Sequence, residues 1–131
     1  MKIFGIGTDI VNIKRMDRSL KKYGVNFKNR IFSKNEISYC EKKKNSSAFY
    51  AKRFAAKEAF SKALGTGIRK GIDLKNIEIR NNSHGKPSII LKGNIAIFLK
   101  KQIKTNKYDI HLSLSDDKPW PQATVIISYN K

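Results

Sequence analysis

A helix predicted over residues 48–64 offers water no complete face. At roughly 100° per residue, Phe49, Ala56, Phe60, Ala63 and Leu64 fall on one side. The other side holds Ala51, Phe54 and Ala55 beside Glu58 and Lys62. An ordinary surface helix keeps one face polar. Here small and apolar residues reach both sides, so the second face must also lie against something: a strand, another subunit or a ligand. The rest of the chain therefore has to wrap around this segment. Gly65, Thr66 and Gly67 follow it, with glycine where a helix commonly ends in the left-handed conformation.

The wrapping elements are legible from their periodicity. Residues 2–11 alternate Ile3, Gly5, Gly7, Asp9 and Val11 against Phe4, Ile6, Thr8 and Ile10, which is a strand pattern. Asp9 thus shares a face with two glycines, and glycines inside a strand mark a close approach by backbone or ligand. A helix is expected from Ile13 to about Tyr23, with Ile13, Met16, Leu20 and Tyr23 inward. A second should start at Ser33, where Glu36 completes a capping box, and end near Lys42, Lys43 and Lys44. Asn45, Ser46 and Ser47 read as a break and a fresh cap. Strands at 77–80 and 88–91 flank a turn rich in Asn, Ser, Gly and Pro. A shorter helix at about 93–105 and strands at 109–115 and 123–129 complete the order. The expected fold class is α+β: a compact single domain over residues 1–131, with an antiparallel sheet packed on a long central helix and shorter helices around it.

Composition narrows the function classes. A chain of 131 residues that is 40% hydrophobic can bury a real core. Its lone cysteine, Cys40, excludes an internal disulfide and a cysteine-rich zinc site. No apolar run approaches the roughly 20 residues of a membrane span, and the first residues read as a strand rather than a leader. A cytoplasmic protein with no membrane insertion is expected. The formal charge of +18 and pI near 10.2 call for an anionic partner, or reflect a coding bias toward lysine. Lysine far outnumbers arginine, the side chain preferred for bidentate base contacts. A nucleic-acid module would leave the acidic residues idle, and no helix-turn-helix or zinc-finger spacing is present. Nucleic acid is not expected as a partner.

Two carboxylates carry the chemistry. Asp9 and Glu58 could hold magnesium, which takes one or two carboxylates plus substrate phosphates. In the bland alternative, Asp9 caps a turn and Glu58 pairs with Lys62 across one helical turn, worth a few tenths of a kcal/mol. Lys62 could also meet a phosphate as a point charge. The glycine turn at 65–67 could offer backbone N–H groups to an anion, yet it lacks the Lys-Ser/Thr ending of a P-loop. His111, on a strand, and Asp116 and Asp117, in a turn, each have a structural reading beside a functional one. Trp120, between Pro119 and Pro121, reads as loop packing. The helix face of Lys14, Arg15, Arg18, Lys21 and Lys22 would suit a negatively charged partner.

Taken together, residues 5–11, the block 54–68, Gly85 to Pro87, and 111–115 resemble the bacterial holo-(acyl-carrier-protein) synthase family, small single-domain 4′-phosphopantetheinyl transferases. The resemblance spans nearly the whole chain with its motifs in family order. It implies transfer of 4′-phosphopantetheine from coenzyme A to a serine of apo acyl carrier protein, releasing adenosine 3′,5′-bisphosphate, in fatty acid biosynthesis. It implies a homotrimer with active sites at subunit interfaces. Asp9 and Glu58 match the magnesium ligands and, with Lys62, the catalytic set. Arg53, Lys62, Gly65, Thr66, Gly67, Pro87 and His111 match coenzyme-binding positions. Arg15 matches a carrier-protein contact, with Arg18 and Lys22 on the same face. The stretch Val25, Asn26 and Phe27 departs from relatives that carry an arginine there.

Overall fold

The computed structural model describes residues 1–65 and 72–130. Among these, the elements run β1 (Lys2–Ile10), α1 (Ile13–Ile31), α2 (Lys34–Glu41), α3 (Ser46–Leu64), β2 (Ile77–Asn81), β3 (Pro87–Leu91), α4 (Asn94–Ile103), β4 (Tyr108–Ser115) and β5 (Gln122–Tyr129). A 3₁₀ turn, Leu74–Asn76, leads into β2. Thr66 and Gly67 lie outside the described residues.

The alanine-rich helix occupies the centre, as its two-sided pattern requires. Ala55, Ala59, Phe60 and Ala63 are buried with Ala123, Val125 and Ile127 of β5 in the main core. An antiparallel sheet in the order β1-β5-β4 covers one flank, and the β2–β3 hairpin forms a separate two-stranded sheet. A second core, around Met16, Phe32, Tyr50 and Ala51, joins α1 and α2 to α3.

The glycines of β1 set the spacing between strand and helix. A Cβ at Gly5 would stand 1.8 Å from the Ala63 carbonyl oxygen, and one at Gly7 would stand 1.9 Å from that of Ala59. The sequence left backbone or ligand open as the cause; it is the α3 backbone. Asp9, two residues beyond Gly7 in the same alternation, is thereby carried to the flank of α3.

One local feature is added and one changes. The first helical stretch reaches Tyr23 as expected, where Gly24 (φ 58°, ψ −138°) leaves the helical conformation; a second stretch, counted within α1 across that kink, carries Phe27 and Ile31 to the second core. Asn45 holds the N-cap position of α3, but its side chain makes no capping bond. The capping box at α2 is as expected: the Glu36 N–H donates to Ser33 Oγ at 3.2 Å, and the Ser33 N–H to Glu36 Oε1 at 2.9 Å. Gly65 ends α3 in the left-handed conformation (φ 89°).

Among the described residues no helix covers the outer face of the three-stranded sheet. Ile6 and Ile10 stand 62% and 55% exposed there, and the register aligns Ile6 with Ile126 of β5 and His111 of β4.

Candidate functional site

Asp9, Glu58 and Arg15 line one cavity of about 400 Å³ at the junction of β1, α1 and α3, walled also by Phe27, Phe54 and Trp120. The carboxylates are 49 positions apart in the chain, and Asp9 stands near enough to Glu58 to shift its titration. Burial pushes the Glu58 pKa above its ordinary value, the charge of Asp9 pushes it further, and Lys62 opposes both. The helical pair expected between Glu58 and Lys62 does not form. Lys62 Nζ instead donates to Asp9 Oδ1 and to the Thr8 carbonyl oxygen, each at 3.0 Å. Lys62 can reach Asp9 because β1 lies so close along α3.

One ammonium is thus set against two carboxylates, and among the described residues Glu58 forms no salt bridge. That imbalance, with oxygen donors only, fits a hard divalent cation. Among the described residues no cluster of three or more His, Cys, Asp or Glu offers a fuller set of ligands.

A second cavity, of about 370 Å³, contains Arg53 and Pro87 with Tyr39, Phe49, Asn81 and Gly85. Arg53 is buried, stacks over Tyr39 at 4.1 Å and donates to Asn81 Oδ1 at 2.7 Å. Its Nε is buried without a hydrogen-bond partner, an uncompensated donor on a cation beside an open pocket. His111 belongs to neither cavity. It is exposed on the outer sheet face, with Nε2 3.0 Å from Ser128 Oγ. Asp116 pairs with Lys52 at 3.0 Å and lies among the residues of the second cavity, away from Asp9. Within one chain, then, the anticipated coenzyme positions are divided.

On α1, Arg15, Arg18 and Lys22 are all exposed. The face is less one-sided than its spacing suggested, because Lys21 pairs with Asp17 at 2.9 Å. Lys14, Arg15, Arg18 and Lys22 form no salt bridge among the described residues.

Sequence reasoning missed the buried polar network behind the site. Lys57, beside Glu58, is fully buried and donates to Glu36 Oε1 at 2.7 Å and to the carbonyls of Leu74 and Ile77 at 2.9 and 2.6 Å. Burial pulls the Lys57 pKa down and Glu36 pulls it back up. The other oxygen of Glu36 accepts the Ile79 N–H at 2.9 Å. Buried Glu78 binds Lys92 at 2.9 Å and also Arg80. One signal was available: Lys57 interrupts a run of alanines where every neighbouring position is expected to be packed.

The chain is similar to known proteins over nearly its whole length. The family model described as the 4′-phosphopantetheinyl transferase superfamily matches residues 5–124. A holo-(acyl-carrier-protein) synthase of Pelagibacter ubique is 47% identical over 127 residues, covering 97% of this chain and 98% of the relative. The crystal structure of the Neisseria meningitidis holo-(acyl-carrier-protein) synthase superposes with a TM-score of 0.87 at 39% identity, covering 96% of this chain and 98% of that one. The Bacillus anthracis synthase, solved in complex with CoA (3′,5′-ADP), gives a TM-score of 0.81 at 35% identity, over 99% of this chain and all of that one. End-to-end matches of this kind define a transferase by fold and by sequence together. The chain belongs to the 4′-phosphopantetheinyl transferase superfamily.

Proposed function

We propose that this chain, acting as one catalytic domain over residues 1–131, transfers 4′-phosphopantetheine from coenzyme A to a serine of apo acyl carrier protein and releases adenosine 3′,5′-bisphosphate. The observation that carries the reading is the joint lining of one cavity by Asp9, Glu58 and Arg15, in a chain whose relatives are named for this activity.

Asp9 and Glu58 would hold Mg²⁺. Bound there, the ion supplies neutralising charge to the pyrophosphate, which lowers the cost of the departing bisphosphate. Lys62 adds a point charge on the phosphate side. The serine Oγ attacks the pantetheine-side phosphorus and a new P–O bond forms. The bond from that phosphorus to the bridging oxygen breaks, and the electron pair leaves with the adenosine bisphosphate. Glu58, or a water held near the metal, would receive the serine proton. Arg53, with its unpaired Nε, and Pro87 would form the pocket for the coenzyme's 3′-phosphate, with Gly65, Thr66 and Gly67 along the coenzyme's path. Arg15, Arg18 and Lys22 would dock an acidic carrier protein.

His111 enters this reading through a homotrimer. It stands on the exposed sheet face with Ile6, outside the two cavities described above. Packing that face on further copies would bury the isoleucines and bring His111 toward a coenzyme held by a neighbour. A cytoplasmic enzyme of fatty acid biosynthesis fits the reading, and no described helix is long and apolar enough to cross a membrane.

The deciding test is mass spectrometry of apo acyl carrier protein incubated with the chain, coenzyme A and Mg²⁺. The carrier should gain one phosphopantetheine and lose the gain when Mg²⁺ is chelated. An unmodified carrier would refute the function, and full transfer under chelation would refute the metal's part in it. A titration with duplex DNA should show no saturable binding at physiological salt.

A further inference from the structure

Resting on the function proposed above, we propose that Trp120 is a contact residue for the carrier protein, and that docking of the carrier closes over its indole. Three observations lead there. The indole is 49% exposed, so about half of a large apolar side chain still faces water. It belongs to neither core cluster and forms no aromatic or cation–π pair among the described residues. The fold therefore makes little use of its apolar surface.

The backbone beneath it is nonetheless firmly held. The Trp120 N–H donates to the Asp117 carbonyl at 2.9 Å, the Val11 N–H to Pro121 at 3.1 Å, and the Ile13 N–H to Pro119 at 3.0 Å. These bonds tie the loop to the β1–α1 junction, the segment that carries Asp9 on one side and Arg15 on the other. A rigid backbone presents the indole at low entropic cost to whatever lands on it. Tryptophans that combine a large apolar body with one polar N–H are enriched at the energetic centres of protein interfaces.

Position selects the occupant. Trp120 lines the cavity of Asp9 and Glu58 together with Arg15. An acidic protein seated on Arg15, Arg18 and Lys22 and delivering a serine to Glu58 has to cover the wall between them, and Trp120 is part of that wall. The coenzyme's 3′-phosphate is assigned to the other cavity, around Arg53 and Asn81, whose lining does not include Trp120. The charged face steers the carrier, and the indole supplies apolar burial once it has landed.

Trp120 is the only tryptophan in the chain, so its fluorescence reports this contact directly. Apo carrier protein titrated into the unmodified enzyme should shift its emission to the blue, saturating near the KM for the carrier. Replacing Arg15 and Arg18 together by alanine should move that titration to higher concentration. Trp120→Ala should raise the KM for the carrier roughly tenfold or more, the loss typical of an interface centre, while the KM for coenzyme A changes less than twofold. Trp120→Phe should recover most of the difference. An emission spectrum unmoved by saturating carrier would overturn the proposal, as would an unchanged carrier KM in Trp120→Ala. Equal increases in both KM values would also overturn it, by placing the indole on the coenzyme. If Trp120→Ala fails to fold, the titration of the unmodified enzyme and the Trp120→Phe kinetics decide alone. Absence of transfer by the unmodified enzyme would instead defeat the parent reading.

Discussion

Replacing Gly7 by alanine tests how the site is assembled, because a single methyl group would have to part β1 from α3. The added carbon would lie 1.9 Å from the Ala59 carbonyl oxygen and 2.6 Å from the Ala63 nitrogen. Both are backbone atoms inside a continuous helix, so no side-chain rotation relieves the clash. Reaching an ordinary 3.4 Å contact requires strand and helix to separate by roughly 1.5 Å. Overpacking a core costs 1–3 kcal/mol when neighbours can adjust; with rigid backbone on both sides about 3 kcal/mol is a lower bound. For a chain of this length that corresponds to a fall in Tm of roughly 10 °C. The same displacement carries Asp9 away from Glu58, and a misplacement of about 1 Å in a reactive constellation costs on the order of 100-fold in rate. Thermal denaturation by circular dichroism and the mass-spectrometric transfer assay read the two effects separately. Wild-type Tm together with wild-type transfer in Gly7→Ala would refute the account of the glycine as a spacer.

Glu58→Gln should abolish transfer yet leave Tm unchanged or raise it by a degree or two, since it removes a half-buried charge repelled by Asp9; calorimetry showing a large loss of stability would contradict this. Lys57→Met should behave in the opposite way. It strands buried Glu36 and leaves the Leu74 and Ile77 carbonyls without their donor, at a cost of about 3–5 kcal/mol, which denaturant titration would measure. Glu78 governs the acid limb of stability. Burial alone would raise its pKa, but hydrogen bonds from Lys92, Ser33 and Arg80 prevail and bring it down to about 2. Because the folded value lies below the unfolded one, its contribution is complete above the ordinary glutamate value of 4.5 and is lost as pH falls toward 2. Denaturation midpoints between pH 6 and pH 2 should therefore fall less steeply in Glu78→Gln than in the unmodified chain.

Much of this architecture is legible in the sequence because its determinants are local. The alternation of β1, the Ser33–Glu36 capping box and the stop at Gly65 each follow from residues within one or two turns of one another. The helical stretch beyond Gly24 was not legible, since Phe27 and Ile31 mark a helix only once they find a core to pack on. The Lys57 network escaped for a related reason. Its partners Glu36, Leu74 and Ile77 lie on three different elements, and no spacing rule links them. Trp120 read as packing because a tryptophan between prolines usually has something to pack against.

The pairing of Lys62 shows how the two kinds of information meet. Spacing offers Glu58 as its partner, four residues away on the same helix, and an isolated helix would accept that for a few tenths of a kcal/mol. Tertiary structure offers Asp9, which comes with the Thr8 carbonyl as a second acceptor, and the tertiary partner wins. What makes that partner available is the absence of side chains at Gly5 and Gly7, which lets β1 approach α3 closely enough for a strand carboxylate to meet a helix lysine. The same approach leaves Glu58 half-buried beside Asp9 with its proton affinity raised. The repulsion between Asp9 and Glu58 thus originates in two missing methyl groups: the glycines that weaken the first strand bring the acidic pair together.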